Sequence, residues 1–503
     1  MKKIYTNICG LIALLVIATS CDAFLEEKPK TFLTPDTYFQ NEGQVVAAVN
    51  GLYTFLDDIF NGDIEPGSQT FIFLEYMSGY GERLRGSGTQ DLAQANSLNV
   101  AENNGYVQRL WETAYKAIEN CNGTIEGIEA IAEGVLTEDR KNELLGEAYF
   151  MRAYYYFNLV RLYGPVPLKL TSTSSLANVA IELTSIEGVY TQIDLDLTKA
   201  GELMDKTAWA NTSGRVSKGA VKSLHAKVYL TMAGYPLKKG TEYYKKAFDK
   251  AYEVYKSGAF RLFDTYEELR TIENTGEHIF SIQREADNAG SPVHGNMLPY
   301  PAPVKAISAN AAFGGALVPT MLFYNTYPDG DKRLEEQAFY YTQHQALDNS
   351  GIVELGRPYI YKFWDDEAAT TGKSGANYTL LRYADVLLMM AEAKAEADGG
   401  TTSNADAVDA YYAVRKRAMP EEAKPTSVNT NTILKERFWE LCFEGQTWYD
   451  MLRTHKALHA VTGNIVDMIG YQTPGHGAAF KEADLLLPYP IREKRLNPNL
   501  KRD

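Results

Sequence analysis

Residues 144–167 read LLGEAYFMRAYYYFNLVRLYGPVP, and their spacing decides the fold. Leu144, Ala148, Met151, Tyr155, Leu159 and Leu162 recur at intervals of three and four, the apolar stripe of a helix, and the stripe extends back to predict a helix over Glu138 to Tyr163. Gly164-Pro165 ends it, because proline lacks the amide donor and disfavours helical backbone in the residue before it. Within the helix, Glu147-Ala148 is followed three residues on by Arg152-Ala153. A loose echo returns in Ala220-Val221 with His225-Ala226-Lys227 and Tyr229, and in Asp385 with Met389-Met390-Ala391, Ala393 and Lys394. Alanines at such positions let helices approach closely, as in stacked tetratricopeptide-like pairs of about 34 residues. An irregular helical bundle is the other arrangement the pattern allows.

Working outward, the same periodicity predicts helices at Thr37 to Phe60, Asn104 to Ile131, Ile186 to Leu203, Lys218 to Ala233, Glu242 to Ser257, Leu380 to Ala397, Ala405 to Ala418 and Ile433 to Arg453. Asp36 is placed to cap the first. Short polar or glycine-containing turns join them in pairs. Two stretches lack the period: Asn61 to Asn99, apart from the run Phe71 to Leu74, and Ala259 to Tyr378, with strand-like His278 to Ile282. Long irregular segments in a compact fold are usually functional.

The N-terminus has two lysines, an apolar stretch from Ile8 to Ala18, then Thr19-Ser20-Cys21-Asp22. A bilayer span needs roughly 20 apolar residues, so residues 1–20 read as a removable secretory signal. Cys21 after Ala18-Thr19-Ser20 resembles a bacterial lipobox, although Ala18 stands where leucine is commonest. On that reading the mature chain begins at a lipidated Cys21, and residues 21–36 form an extended arm. More than one acyl chain gives stable anchoring, since each buried methylene adds about 0.8 kcal/mol.

The 503 residues carry 50 basic and 64 acidic side chains, a net charge of −14, which argues against a nucleic-acid surface. Cys121 and Cys442 lie among helix-like apolar neighbours and read as buried thiols; spacing alone leaves a disulfide between them open. The chain has 34 tyrosines, enough to serve both helix interfaces and a wet binding surface, so position has to decide between the two.

These features together resemble the SusD/RagB family, outer-membrane lipoproteins that capture nutrients for a SusC-type TonB-dependent transporter. The likeness rests on the Cys21-Asp22 start, residues 144–167, Tyr327 to Arg333, Leu381 to Ala393, Glu436 to Arg453 and Leu487 to Asn499, which together cover essentially the whole chain in order. The resemblance implies a mainly α fold of tetratricopeptide-like helix pairs packed against a loop-rich, irregular ligand-binding face with few short strands. It implies one SusD-like domain over 37–503, with an N-terminal part to about residue 258 and a C-terminal part from about 259. It further implies a surface-exposed, lipid-anchored glycan-binding protein of the outer membrane, partnered by a SusC-like transporter and lacking catalysis, cofactor and metal. Arg382, Asp385, Arg437 and Glu440 are expected to form buried ion pairs that fix helix packing.

Sugar recognition needs aromatic faces against the C–H side of a pyranose and polar groups at its edge. The first candidate stretch runs from Phe71 to Arg85 and offers Tyr76, Tyr80, Glu82, Arg83 and Arg85 among glycines. A second, Tyr300 to Phe313, offers Tyr300 and Phe313 with Asn296 and Asn310 nearby. The third is Phe363-Trp364-Asp365-Asp366 with the loop to Asn377-Tyr378. The family resemblance favours the first two regions; neither contains a tryptophan, so the ligand need not be starch-like.

Other chemistries find weaker support. A glycosidase needs two carboxylates across a cleft, and no motif nominates a pair. No G-x-S-x-G, P-loop or complete dinucleotide fingerprint is present, since Gly79-x-Gly81 lacks its third glycine. His455 and His459 have the spacing of a zinc pair, but Lys456 replaces the glutamate of H-E-x-x-H. Asp329-Gly330-Asp331 and Asp365-Asp366-Glu367 lack the ligand set of a calcium loop and read as turns. A helical-repeat surface that binds peptide or protein remains the second binding reading.

Overall fold

The computed structural model describes residues 38–60, 70–84, 90–174, 180–301, 304–309 and 314–501. The leader, Cys21, the arm and Asp36 lie outside them.

About half of the chain is helical, and the helices stack in sequence order. Helix α1 spans Glu42–Phe60 and α2 Thr70–Ser78; α3 (Gly105–Glu129), α4 (Glu138–Tyr163), α5 (Ile186–Leu203), α6 (Lys218–Ala233) and α7 (Thr241–Ser257) each pack on the next. The array resumes with α8 (Tyr383–Ala397), which packs on α7, and continues through α9 (Ala405–Ala418), α10 (Thr430–Glu440) and α11 (Thr447–Thr454). Capping fixes the starts. Asn104 accepts from the Tyr106 amide at 2.9 Å, Thr137 from Arg140 at 3.3 Å, Ser185 from Gly188 at 3.1 Å and Ser217 from Ala220 at 3.1 Å. The alanines of the recurring theme, Ala148, Ala153, Ala220, Ala226, Ala391 and Ala393, are all fully buried at helix contacts.

Three expectations differ from the structure. The helix read as Ile433 to Arg453 is two, because Phe443 and Gly445 adopt left-handed backbone with φ of 62° and 68° and turn the chain between α10 and α11. Leu380 to Arg382 begin no helix but close a strand, Tyr378–Arg382, antiparallel to His278–Ile282. The run Phe71 to Leu74 lies inside α2, whose nine residues are all buried, so it shows no amphipathic period.

Ion pairs lock the stack. Arg152 of α4 grips Asp196 of α5 with two bonds at 2.8 and 2.7 Å. Asp385 of α8 accepts Lys227 of α6 at 2.7 Å and Arg437 of α10 at 2.8 Å. Glu440, fully buried, takes Arg382 at 2.8 Å, Arg417 at 2.8 Å and Arg333 at 3.3 Å. The Tyr327-to-Arg333 motif thus delivers Asp331 and Arg333 to this network, with Arg333 Nη2 to Asp331 at 2.7 Å, which accounts for one of the two acidic turns. Asp365 explains the other by capping a short helix, accepting the amides of Glu367 and Ala368 at 2.9 and 3.1 Å. Cys121 and Cys442 are both buried free thiols.

Candidate functional site

Residues 258–382 leave the helical array after α7 and return to it at α8. In this excursion β2 (His278–Ile282) pairs with β6 (Tyr378–Arg382) and β4 (Tyr340–Gln345) with β5 (Ile352–Ile360), while β1 (Gly81–Glu82), from the stretch after α2, pairs with β3 (Val318–Pro319), all antiparallel. A second apolar cluster lies beneath, including Leu298, Val318, Tyr341, Tyr359, Tyr361 and Trp364.

The first two stretches nominated from sequence meet here. Glu82 faces Val318 across the β1–β3 pair, the Leu84 amide donates to the Gly315 carbonyl at 3.1 Å, and the Gly315 amide donates to Leu298 at 2.6 Å. Gly315 has φ +75°, and a Cβ there would fall 2.6 Å from the Tyr300 Cβ, so glycine allows the two chains to touch. The junction presents Tyr300, 37% exposed, beside half-buried Glu82 and Arg83. Tyr359 holds the tyrosine backbone, donating its hydroxyl to the Tyr300 carbonyl at 3.0 Å. Burial raises the Tyr359 hydroxyl above its ordinary pKa, against the pull of the Tyr300 amide, which donates to its oxygen at 3.4 Å, and of Arg357, and keeps it protonated.

Sequence reasoning missed Arg357. Its guanidinium donates to Glu82 at 2.8 Å and to the Pro319 carbonyl at 2.6 Å, clamping the β1–β3 pair from β5. The period-two pattern of Tyr359 and Tyr361 was the available signal for this strand.

Tyr76 and Tyr80 do not belong to the accessible surface. Tyr76 is fully buried with its hydroxyl on the Ala316 carbonyl, and Tyr80 is 2% exposed, donating to the Leu458 carbonyl and accepting the Leu458 amide, each at 2.7 Å. Burial raises both hydroxyls above the ordinary tyrosine pKa. As placed, neither ring offers a face to a ligand; the corrected role is to support the junction from below. Asn296 is also fully buried, its side-chain amide donating to the Pro292 carbonyl at 2.8 Å and its backbone carbonyl receiving the Leu317 amide at 3.1 Å. Arg85, Asn310 and Phe313 lie outside the described residues.

Trp364 stands apart from Tyr300. Its ring stacks on Tyr361 with centroids 5.1 Å apart, its indole donates to Asp366 at 2.8 Å, and Tyr341 at 5.5 Å connects it to the cluster under the junction. The third nominated stretch does come together, since Phe363, Trp364, Asn377 and Tyr378 line one separate pocket. The histidine spacing gives no helical pair: His455 ends α11 with φ 53° and stacks on Tyr235, while His459 Nδ1 accepts the Val461 and Thr462 amides at 3.3 and 3.2 Å.

The junction thus carries an exposed tyrosine held by its backbone and, on the adjoining strands, the Glu82–Arg357 pair. That suits stacking and hydrogen bonding to a polyhydroxylated ligand. Glu82 is paired with Arg357 at 2.8 Å and so is not a free carboxylate.

Comparison with known proteins adds three lines. Residues 315–503 match the family described as the SusD family, and residues 24–230 match the one described as starch-binding associating with outer membrane. A SusD-like protein, P2, of Formosa agariphila is 27% identical, with 97% of this chain and 98% of the relative covered. A solved SusD superfamily protein from Parabacteroides distasonis is 33% identical over 94% of this chain and 99% of its own, with a TM-score of 0.85; a solved laminarin-binding SusD-like protein, 22% identical over 91% and 98%, has a TM-score of 0.71.

Proposed function

The chain belongs to the SusD family, and we propose on that ground that it is a cell-surface lipoprotein that binds glycan and delivers it to a SusC-like TonB-dependent transporter of the outer membrane. The observation that carries the binding reading is the junction of the two loop stretches, where the chain at exposed Tyr300 meets the chain at Leu84 through Gly315, two residues from Glu82, which Arg357 holds. Several such contacts are needed together, because one aromatic contact is worth only about 0.5–1.5 kcal/mol beyond its area. The laminarin-binding relative shares the fold and supports glycan as the ligand class. Cys21 would carry the lipid anchor, and the arm of residues 21–36 would tether the folded body to the membrane surface.

The protein binds and does not cleave on this reading. Affinity electrophoresis of residues 22–503 against plant, host and microbial polysaccharides tests it. Retardation by a glycan, with no released sugar, is the expected result; release of sugars by the pure protein would overturn it, and so would uniform failure to bind polysaccharides and their oligosaccharides.

A further inference from the structure

Near the C-terminus the loop at 482–486 meets the C-terminal end of α4 and leaves a pocket of about 410 Å³, within the roughly 300–1,000 Å³ that small-molecule sites occupy. Its walls come from the ends of α4 and α6, the start of α5, the loop at 235–238, α11 and His455. Two backbone bonds tie those walls together: the Leu487 amide donates to the Leu162 carbonyl and the Tyr235 amide to the Arg453 carbonyl, each at 2.8 Å. The pocket shares no residue with the Tyr300 junction.

Most of the lining is apolar, including Val160, Ile186, Pro236, Leu452, Leu485 and Leu486. The spare charge among these residues is positive. Arg161 Cζ lies over the Phe157 and Tyr449 rings, 3.8 and 3.5 Å from their centroids. Its Nε donates to the Phe157 carbonyl at 3.1 Å and its Nη2 to the Asn158 side chain at 2.8 Å. Both acceptors are neutral, and Nη1 has no acceptor among the described residues, so the guanidinium is held in place while its charge stays unpaired. Lys238, exposed, lies 4.0 Å over the Tyr235 ring and likewise has no carboxylate partner among the described residues.

The other charged groups do not cancel that excess. Arg453 is already paired with Glu392 and Asp450. Glu482, the single acid of the lining, is exposed to water. Burial lowers the His455 pKa below its ordinary value, so this ring is neutral at physiological pH. Burial also raises the Tyr190 and Tyr449 hydroxyls above the ordinary tyrosine pKa. Both stay protonated, and neither has an acceptor among the described residues, so the lining offers donors in excess of acceptors.

A fixed guanidinium with a free N–H and two unengaged hydroxyls suit an anion, and the aliphatic and aromatic walls suit one with an apolar body. We propose that this pocket binds a small organic acid, a carboxylate on an aryl or branched alkyl body, with the carboxylate toward Arg161 and the body against Ile186, Leu452 and Leu486. The site does not rest on the glycan reading above.

The test is saturation-transfer NMR on residues 22–503 with phenylpropionate and isocaproate at millimolar concentration, and with phenylpropionamide as the neutral counterpart. Protons of at least one acid should receive saturation, and the amide should bind about tenfold more weakly than phenylpropionate, because it cannot form the charge-assisted bond. Arg161→Met keeps an apolar stem over the two rings and removes the charge; it should lower acid affinity about tenfold, with the helical circular dichroism unchanged. If Arg161→Met fails to fold, Lys238→Glu, at an exposed position, serves as the charge variant and should weaken binding about threefold. Saturation of neither acid by the wild type, an amide that binds as well as its acid, or acid affinity unchanged in the folded charge variant overturns the site.

Discussion

The Tyr359 hydroxyl donates to the Tyr300 carbonyl at 3.0 Å, so the most exposed aromatic of the candidate face is positioned by a buried one. Tyr359 reaches up from the apolar cluster shared with Tyr341 and Trp364. Recognition and packing are linked through that single hydroxyl.

Tyr300→Ala should lower glycan affinity by about two- to twelvefold, the equivalent of about 0.5–1.5 kcal/mol, with no change in thermal midpoint. Tyr359→Phe should weaken binding by a smaller factor without touching the glycan, because the Tyr300 backbone loses its tether. Isothermal titration with the glycan found by electrophoresis measures both; unchanged affinity in the pair would mean the ligand lies on another face.

Glu440→Ala should destabilise the fold by about 3–5 kcal/mol, since three buried guanidiniums, those of Arg333, Arg382 and Arg417, each lose a carboxylate partner. Guanidinium-chloride unfolding followed by circular dichroism gives the value. A loss near zero would show that the remaining carboxylates absorb those charges.

Burial raises the Glu75 carboxyl from near 4.5 to about 8, although it accepts the Gly445 amide at 2.7 Å and feels Lys362. Between those values the folded chain keeps a proton that the unfolded chain has released, so the contribution of Glu75 to stability is full at low pH and is lost as pH rises toward 8. Glu75→Gln keeps an acceptor for Gly445 and removes the ionisation. Relative to wild type, the variant should gain stability between about pH 5 and about pH 9, as read from denaturant midpoints. Parallel pH profiles for the two proteins would refute the shift.

Cys21→Ala, expressed with its leader, should lose metabolic labelling by fatty acid and leave the membrane fraction. Labelling that persists would place the lipid elsewhere.

Ile186–Leu203 and Ala405–Ala418 were legible because a helix half open to solvent must alternate its surfaces, and Glu138–Tyr163 and Lys218–Ala233, though mostly buried, also keep the bounds that periodicity predicts. Legibility failed where burial is complete, as in α2, and where two backbone torsions at Phe443 and Gly445 override a continuous apolar pattern. For the candidate site, the two stretches nominated from sequence meet in the fold, but which of their side chains are exposed was not legible. A tyrosine in a glycine-rich loop reads the same whether it is exposed, as Tyr300 is, or buried with its hydroxyl on a carbonyl, as Tyr80 is. Arg357 was invisible because its partner Glu82 lies 275 residues away, beyond any local signal.

The excursion of residues 258–382 begins and ends on two helices that pack against each other, α7 and α8. The helical array therefore reads through as if the excursion were spliced into it, and the loops of the face can diversify in length and sequence while the stack keeps its register. A chimera exchanging the segment between Ser257 and Tyr383 for that of a relative would transplant most of a ligand specificity in one piece, provided that Glu277, Asp331, Arg333, Lys362 and Arg382, the excursion's contributions to the ion network around Glu440, travel with it unchanged.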